Sequence, residues 1–276
     1  MVMSTTESLI VHTPNEMVNE LKLYMSEDIK IANGIVLKCP KIKDVAEYGE
    51  SSYFSMINTI CATPSSMMVV LDDMKLNYMK ISDFELFMML VQSLKPKATY
   101  PILGDLDLTK FKPHQINGTE EVILVHEDTV NDETPIVINP IIYEVLVTYI
   151  RKMHNFKKEV KKAGNEITRR QLIRLARQDA EMAKNKPHES FLRPVISAVK
   201  CRMGYEMSYI KNMGIFELMD DLSRLNIIVQ ADAALGGMYS GMVDTKKMDK
   251  TVLNWTRNIV EDDNDKGKAI ADGVVR

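Results

Sequence analysis

Five histidines, His12, His114, His126, His154 and His188, are the side chains whose charge could change near neutral pH. No two of them stand at the HxxxH spacing that places two imidazoles on one helix face for a metal. His114 and His126 flank a turn-rich stretch and could approach across a hairpin, but such a pair reads first as surface histidine. The adjacent pairs Asp72–Asp73 and Asp220–Asp221 are the nearest thing to an acid–base constellation. Neighbours on a helix point in different directions, so these carboxylates read as solvated faces or helix-end charges. No pattern that positions a serine nucleophile, cradles a phosphate or binds a dinucleotide occurs. The expectation is a protein that is not an enzyme, with no catalytic residue, no cofactor and no metal.

The strongest electrostatic feature is basic. Residues 151–200 carry 14 Lys and Arg against 5 Asp and Glu, a net +9, which leaves −12 on the rest of a chain whose total is −3. Lys157, Lys158, Lys161, Lys162, Arg169, Arg170 and Arg174 form the densest patch. A cluster of this kind can hold phosphate backbones, and a nucleic-acid-binding regulator is one reading. These residues fall in helical stretches without interleaved aromatics, however, so base stacking is not indicated. Contact with an acidic protein partner, or with this chain's own acidic regions, is the preferred reading.

The elements that must position these groups are mainly helical. Thr13 to Ser26 reads as a helix with Pro14 at its first position, and Ile29 to Leu37 as a hairpin about Asn33-Gly34. Ile42 to Cys61 reads as one helix, and Thr63-Pro64-Ser65-Ser66 starts another through Met74. Ser82-Asp83-Phe84-Glu85 opens a helix expected to reach Leu94, with Lys95-Pro96 as its stop. Alternation over Ile102 to Phe111, then Glu121 to His126 and Ile136 to Ile138, predicts a small antiparallel sheet, whose exposed edge could serve a homo-oligomer. Beyond Asn139-Pro140 only helices are predicted: Ile141 to Met153 with a charged extension Lys157 to Lys162, then Ile167 to Lys184 with Leu172, Leu175 and Ala176 inward. Phe191 to Cys201 and Ile215 to Gly236 follow, with Gly236-Gly237 as end or kink, and a short helix closes near Trp255. The fold class is therefore α+β, mainly α-helical. A mixed domain with a small antiparallel sheet is expected over 1–139, and a helical domain with an acidic C-terminal tail over 140–276.

A length of 276 residues with 45% hydrophobic content suffices for a sizeable core. Cys39, Cys61 and Cys201 are too few and too scattered for a disulfide scaffold, which points to a reducing compartment. The N-terminus lacks a basic stretch followed by an apolar run, and no apolar run approaches the roughly 20 residues of a membrane span. Twenty methionines suit either a helical core or an adaptable binding surface, with core the plainer reading.

Met213-Gly214-Ile215-Phe216-Glu217-Leu218-Met219-Asp220-Asp221-Leu222-Ser223-Arg224-Leu225, then Gly237-Met238-Tyr239-Ser240-Gly241-Met242-Val243-Asp244, Lys246-Lys247-Met248-Asp249 and Leu253-Asn254-Trp255, form one connected pattern. It resembles the C-terminal part of the tail assembly chaperones of phages and prophages of Gram-positive bacteria. The likeness covers roughly the last 65–75 residues, with a weaker one over Ile29 to Ala46. The resemblance implies a protein of the host-cell cytoplasm that keeps the tape-measure protein soluble while tail tube protein polymerises around it, with no active site. The expected contact residues are Phe216, Met219, Leu222, Leu225, Met238, Tyr239 and Trp255. The same stripe also reads as plain core. Many members of that family are shorter, so a structural protein of the tail, connector or baseplate, retained in the virion, is the alternative.

Overall fold

A computed structural model describes residues 18–116, 121–184, 189–241 and 250–259 of the chain. Among the described residues the architecture is mainly helical α+β with two small antiparallel sheets. The chain divides into two compact units, the first Met1–Ser190 with Gly214–Phe216, the second Phe191–Met213 with Glu217–Arg276.

The first unit opens with α1 (Glu20–Tyr24), capped by the Asn19 side chain, which accepts from the Lys22 N–H at 3.1 Å. Of the helix expected over Thr13 to Ser26, residues 13–17 lie outside the described residues. The hairpin of β1 (Ile29–Ala32) and β2 (Ile35–Leu37) turns at Asn33-Gly34 as expected, pairing Ile29 with Leu37. Gly34 takes φ +68, and a Cβ there would stand 2.5 Å from Ile136 Cδ1, so both conformation and space require glycine.

The single helix expected over Ile42 to Cys61 is two helices, α2 (Ile42–Tyr48) and α3 (Glu50–Ile60). Gly49, at φ +97, makes the corner. It lets Val45 turn inward from α2 while Tyr53, Met56, Ile57 and Ile60 of α3 are buried. After the Thr63–Ser66 turn comes α4 (Met68–Asp73). The capping box at Ser82 forms: the Ser82 hydroxyl accepts from Glu85 N–H at 3.2 Å, and the Glu85 carboxylate accepts from Ser82 N–H at 2.7 Å. That helix, α5 (Asp83–Leu90), yields to a 3₁₀ turn at Val91–Ser93 before the expected end at Leu94. The helical run thus ends before Lys95-Pro96 as expected, and Pro96 itself starts α6 (Pro96–Leu103), because an absent N–H is harmless in a first turn.

Ile102 to Phe111 is not a strand. Ile102 closes α6 and Leu108 lies in a 3₁₀ turn, and the sheet begins at Phe111. Ile102, Leu108 and Phe111 are all fully buried, so the apolar spacing that mimics a pleat comes from helical turns pressed on the core. The sheet contains β3 (Phe111–Gln115), β4 (Val122–His126) and β5 (Val137–Ile138) in that order, antiparallel, with Phe111 opposite His126 and Leu124 opposite Ile138.

Helix α7 (Pro140–His154) starts at Asn139, whose side chain accepts from Ile142 N–H at 2.8 Å. It ends at Asn155 in the left-handed conformation. Lys157 to Lys162 therefore does not extend the helix. The segment is tied to the Thr63–Ser66 turn: Thr63 Oγ1 donates to the Glu159 carbonyl at 2.9 Å, and Lys161 N–H donates to Ser65 Oγ at 2.9 Å. Helix α8 (Glu166–Lys184) follows, with the Asn165 side chain accepting from Thr168 N–H at 2.8 Å. Its one buried residue is Ile173, which joins Ala62, Met68, Leu71, Tyr78 and Leu86 in an apolar cluster, with Leu172 and Ala176 beside it. Leu175, expected inward, is 55% exposed. It sits on the far side of the helix because Ile173 takes the central inward position.

α7 packs through aromatics. Tyr143 stacks on Phe87 with ring centroids 4.5 Å apart, and its hydroxyl donates to the Ile60 carbonyl at 3.2 Å. Arg151 Nη2 donates to the Cys61 carbonyl at 2.8 Å. Two side chains of α7 thus satisfy carbonyls left over at the end of α3.

The second unit contains α9 (Leu192–Met203), α10 (Met207–Asn212) and most of α11 (Ile215–Tyr239). Pro194 falls in the first turn of α9, where it is tolerated, and Gly204 at φ +72 ends that helix. α11 runs unbroken through Gly236-Gly237, where an end or kink was expected. A 3₁₀ turn at Lys250–Leu253 is the described part of the short helix expected near Trp255; the acidic residues Glu261 to Asp265 lie outside the described residues. The methionines divide: Met56, Met68, Met153, Met213 and Met219 are buried, while Met25, Met74, Met182 and Met207 are exposed.

Candidate protein-interaction site

α11 carries the expected contact stripe, and burial sorts its members. Phe216, Met219 and Leu225 are buried and Leu222 is half-buried. At about 100° per residue each step of three turns back about 60°, so Phe216 and Leu225 lie on opposite sides of α11, and Leu218, Asp221 and Ile227 are buried between and beside them. Met238 is half-buried, whereas Tyr239 is 88% exposed and Trp255 56% exposed. An aromatic ring held in water forgoes roughly 1.5–3 kcal/mol of burial free energy, so exposed rings of this size are the available anchors for a partner.

Trp255 is positioned by backbone capture. Arg224, on α11, donates from Nη1 to the carbonyls of Trp255 at 2.8 Å and Arg257 at 2.7 Å. Arg257 returns the connection, donating from Nη1 to the Thr251 carbonyl at 3.0 Å and from Nη2 to Gln230 Oε1 at 3.3 Å. The Asn254 side chain accepts from the Thr256 N–H and hydroxyl, which tightens the turn. The planar guanidinium suits this work because it offers several fixed donors at once. The result is a short loop clamped to α11 with the tryptophan ring left outside.

Tyr205 and Tyr209 form a second aromatic feature, with ring centroids 4.9 Å apart. Tyr209 donates its hydroxyl to Glu217 at 2.7 Å, and this bond raises its pKa above the ordinary phenol value. Burial, followed by the charge of Asp221, raises that of Tyr205. The pair Asp220–Asp221 is thus half-buried and buried respectively, with Asp221 beside a tyrosine rather than in a solvated face. Sequence reasoning passed over Arg224, Arg257 and the tyrosine pair. The Tyr-x-x-x-Tyr spacing is the only signal that pointed to any of them.

The basic patch lies in the first unit and meets the chain's own carboxylates. Lys158 pairs with Asp83 at 2.6 Å and Lys161 with Glu159 at 2.6 Å. Arg169 makes a two-pronged contact with Glu166 at 2.8 and 2.7 Å, and Arg170 reaches the same carboxylate at 3.2 Å. Glu166 is held at a pKa of about 2, by Arg169 foremost. Asp72 and Asp73 receive Arg177, and Asp72 lies 3.7 Å from Arg169, so this carboxylate pair clamps α8 onto α4. Lys157, Lys162 and Arg174 are exposed. His154 is buried: its Nδ1–H donates to the Ile150 carbonyl and its Nε2 accepts from the Tyr53 hydroxyl, each at 2.7 Å. His114 and His126 are in β3 and β4; His114 is exposed, whereas His126 is buried edge-on against Phe111. Among the described residues no group of three or more His, Cys, Asp or Glu could hold a metal ion, and no helix is long and apolar enough to cross a membrane.

Residues 184–260 match a phage-associated family described as the YomV second domain. The match takes in α9, α10, α11 and the Trp255 loop. No curated protein and no solved structure matches the chain.

Proposed function

We propose that this is a non-enzymatic phage protein of tail assembly, a chaperone that binds the tape-measure protein through its second unit. The observation that carries this reading is the pair of outward aromatics, Tyr239 and Trp255, within the segment that matches a phage-associated family. Buried Met219 and Leu225 anchor α11 within the second unit, and Met238, Tyr239 and Trp255 meet the client. A client that is long, apolar and helical is best covered by several modest apolar contacts, which release easily when the tube protein takes over. The pairing of Lys158, Arg169 and Arg177 with internal carboxylates supports a protein partner over a nucleic acid.

The test is co-expression with the tape-measure protein of the same genome, nuclease treatment, and capture at low and high salt. Capture that survives high salt and falls at least about tenfold in a Tyr239→Ser, Trp255→Ser double variant is the expected result. Absence of capture overturns the reading. Stable presence in mature particles favours the structural role in the tail, and nuclease-sensitive capture lost at high salt favours nucleic acid.

A further inference from the structure

α8 has two faces. Leu172, Ile173 and Ala176 turn inward, and on the opposite side Ile167 is 71%, Leu175 55% and Met182 59% exposed. With Gln171 and Gln178, both exposed, these residues follow one another at spacings of four, four, three and four. At about 100° per residue that spacing makes one continuous stripe, the seam of an antiparallel or parallel helix pair.

We propose that this stripe is an isologous dimerisation face on which α8 of a second copy of this chain docks antiparallel. The stripe is its own complement under a two-fold axis between Arg174 and Leu175. Reversal sets Ile167 against Met182 of the second copy, Gln171 against Gln178 and Leu175 against its own mate. A glutamine–glutamine match inside an apolar seam fixes register, because any slip leaves an amide against hydrocarbon.

The charges along one edge repeat the pattern. Arg170 and Glu181 lie on that edge, and an antiparallel pair brings each edge against itself. Arg170 then faces Glu181 of the second copy, and by symmetry the contact occurs twice. Within one chain both groups are exposed and bonded one turn away, Arg170 to Glu166 at 3.2 Å and Glu181 to Lys184 at 3.3 Å, so pairing exchanges local partners for equivalent ones. Arg174 meets its own mate near the axis and is the one like-charge contact in the ladder. A single 19-residue helix, roughly 28 Å long, makes a small seam, so the dimer is weak and concentration-dependent.

The experiment is sedimentation velocity on the full chain, from low micromolar to a few hundred micromolar. The wild type is expected to shift reversibly from monomer to dimer. R170E places glutamate against Glu181, and E181R places arginine against Arg170, so each alone weakens association by about tenfold or more. Mixed in equal amounts, the two restore a dimer containing one of each, a result that no loss of folding can imitate. R174Q removes the like-charge contact and tightens the dimer. A wild type that stays monomeric throughout overturns the proposal. So does a dimer indifferent to both reversals, or a mixture of the two variants that fails to associate.

Discussion

Over its 15 residues α7 buries Tyr143, Leu146, Val147, Tyr149, Ile150, Met153 and even Arg151 and His154, whereas the 19-residue α8 buries Ile173 alone. Both helices belong to the first unit and both are strongly two-faced in sequence. The difference lies in what the polar groups do. Arg151 and His154 of α7 are drawn into the interior and each finds a partner: Arg151 on the carbonyl of Cys61 just past α3, His154 between Tyr53 and its own helix backbone. Those of α8 remain at the surface in ion pairs, which individually contribute little in water. Amphipathic periodicity therefore reports that a helix has an inner face, not how deeply that face is set.

The largest expected effect falls on α7. Tyr143→Ala removes a buried ring stacked on Phe87 together with a donor to Ile60, and should destabilise the first unit by about 3–5 kcal/mol in urea unfolding. A loss below about 1 kcal/mol would contradict the contrast.

Acid should act through the same helix. Burial lowers the His154 pKa from 6.5 to about 4, and its carbonyl bond only partly opposes this. The folded state thus binds fewer protons than the unfolded one over that interval. The contribution is fully present above pH 6.5 and is lost progressively as pH falls toward 4, by roughly 3 kcal/mol in all. His154→Gln should flatten that part of the stability–pH curve; an unchanged curve would remove His154 from the explanation.

Tyr53→Phe leaves His154 Nε2 buried without its donor, at a cost of about 1–3 kcal/mol. Thermal unfolding would measure it. The smallest effect should come from α8, where Leu175→Ser changes the stability of the monomer by less than about 0.5 kcal/mol. A larger loss would mean that the outward face contributes to the fold.

The sequence disclosed those features that depend on neighbours along the chain. The Asn33-Gly34 hairpin, the Ser82–Glu85 box and the Asn139-Pro140 start each rest on bonds spanning a few residues, and each is present. Features decided across long separations were hidden. Gly49 breaks a helix that composition alone would continue, since the break serves the packing of both halves. Leu175 shares its apolar type with Leu172, and only the placement of α4 decides which of them faces inward. On α11 the apolar residues were legible, but not that Phe216, Met219 and Leu225 are buried on different sides of the helix while Tyr239 points outward. The Arg224 clamp was invisible because its acceptors are main-chain carbonyls, which leave no mark in composition.

That clamp has an optical consequence. Trp255 is the sole tryptophan of the chain and belongs to the second unit, so indole emission reports on that unit while the ten tyrosines report on the whole. With its ring half in water and its carbonyl held by one guanidinium, the fluorophore should brighten or shift blue when covered by a partner. Replacement of Arg224 should instead raise its accessibility to an aqueous quencher, while the tyrosine signal of the first unit remains as it was.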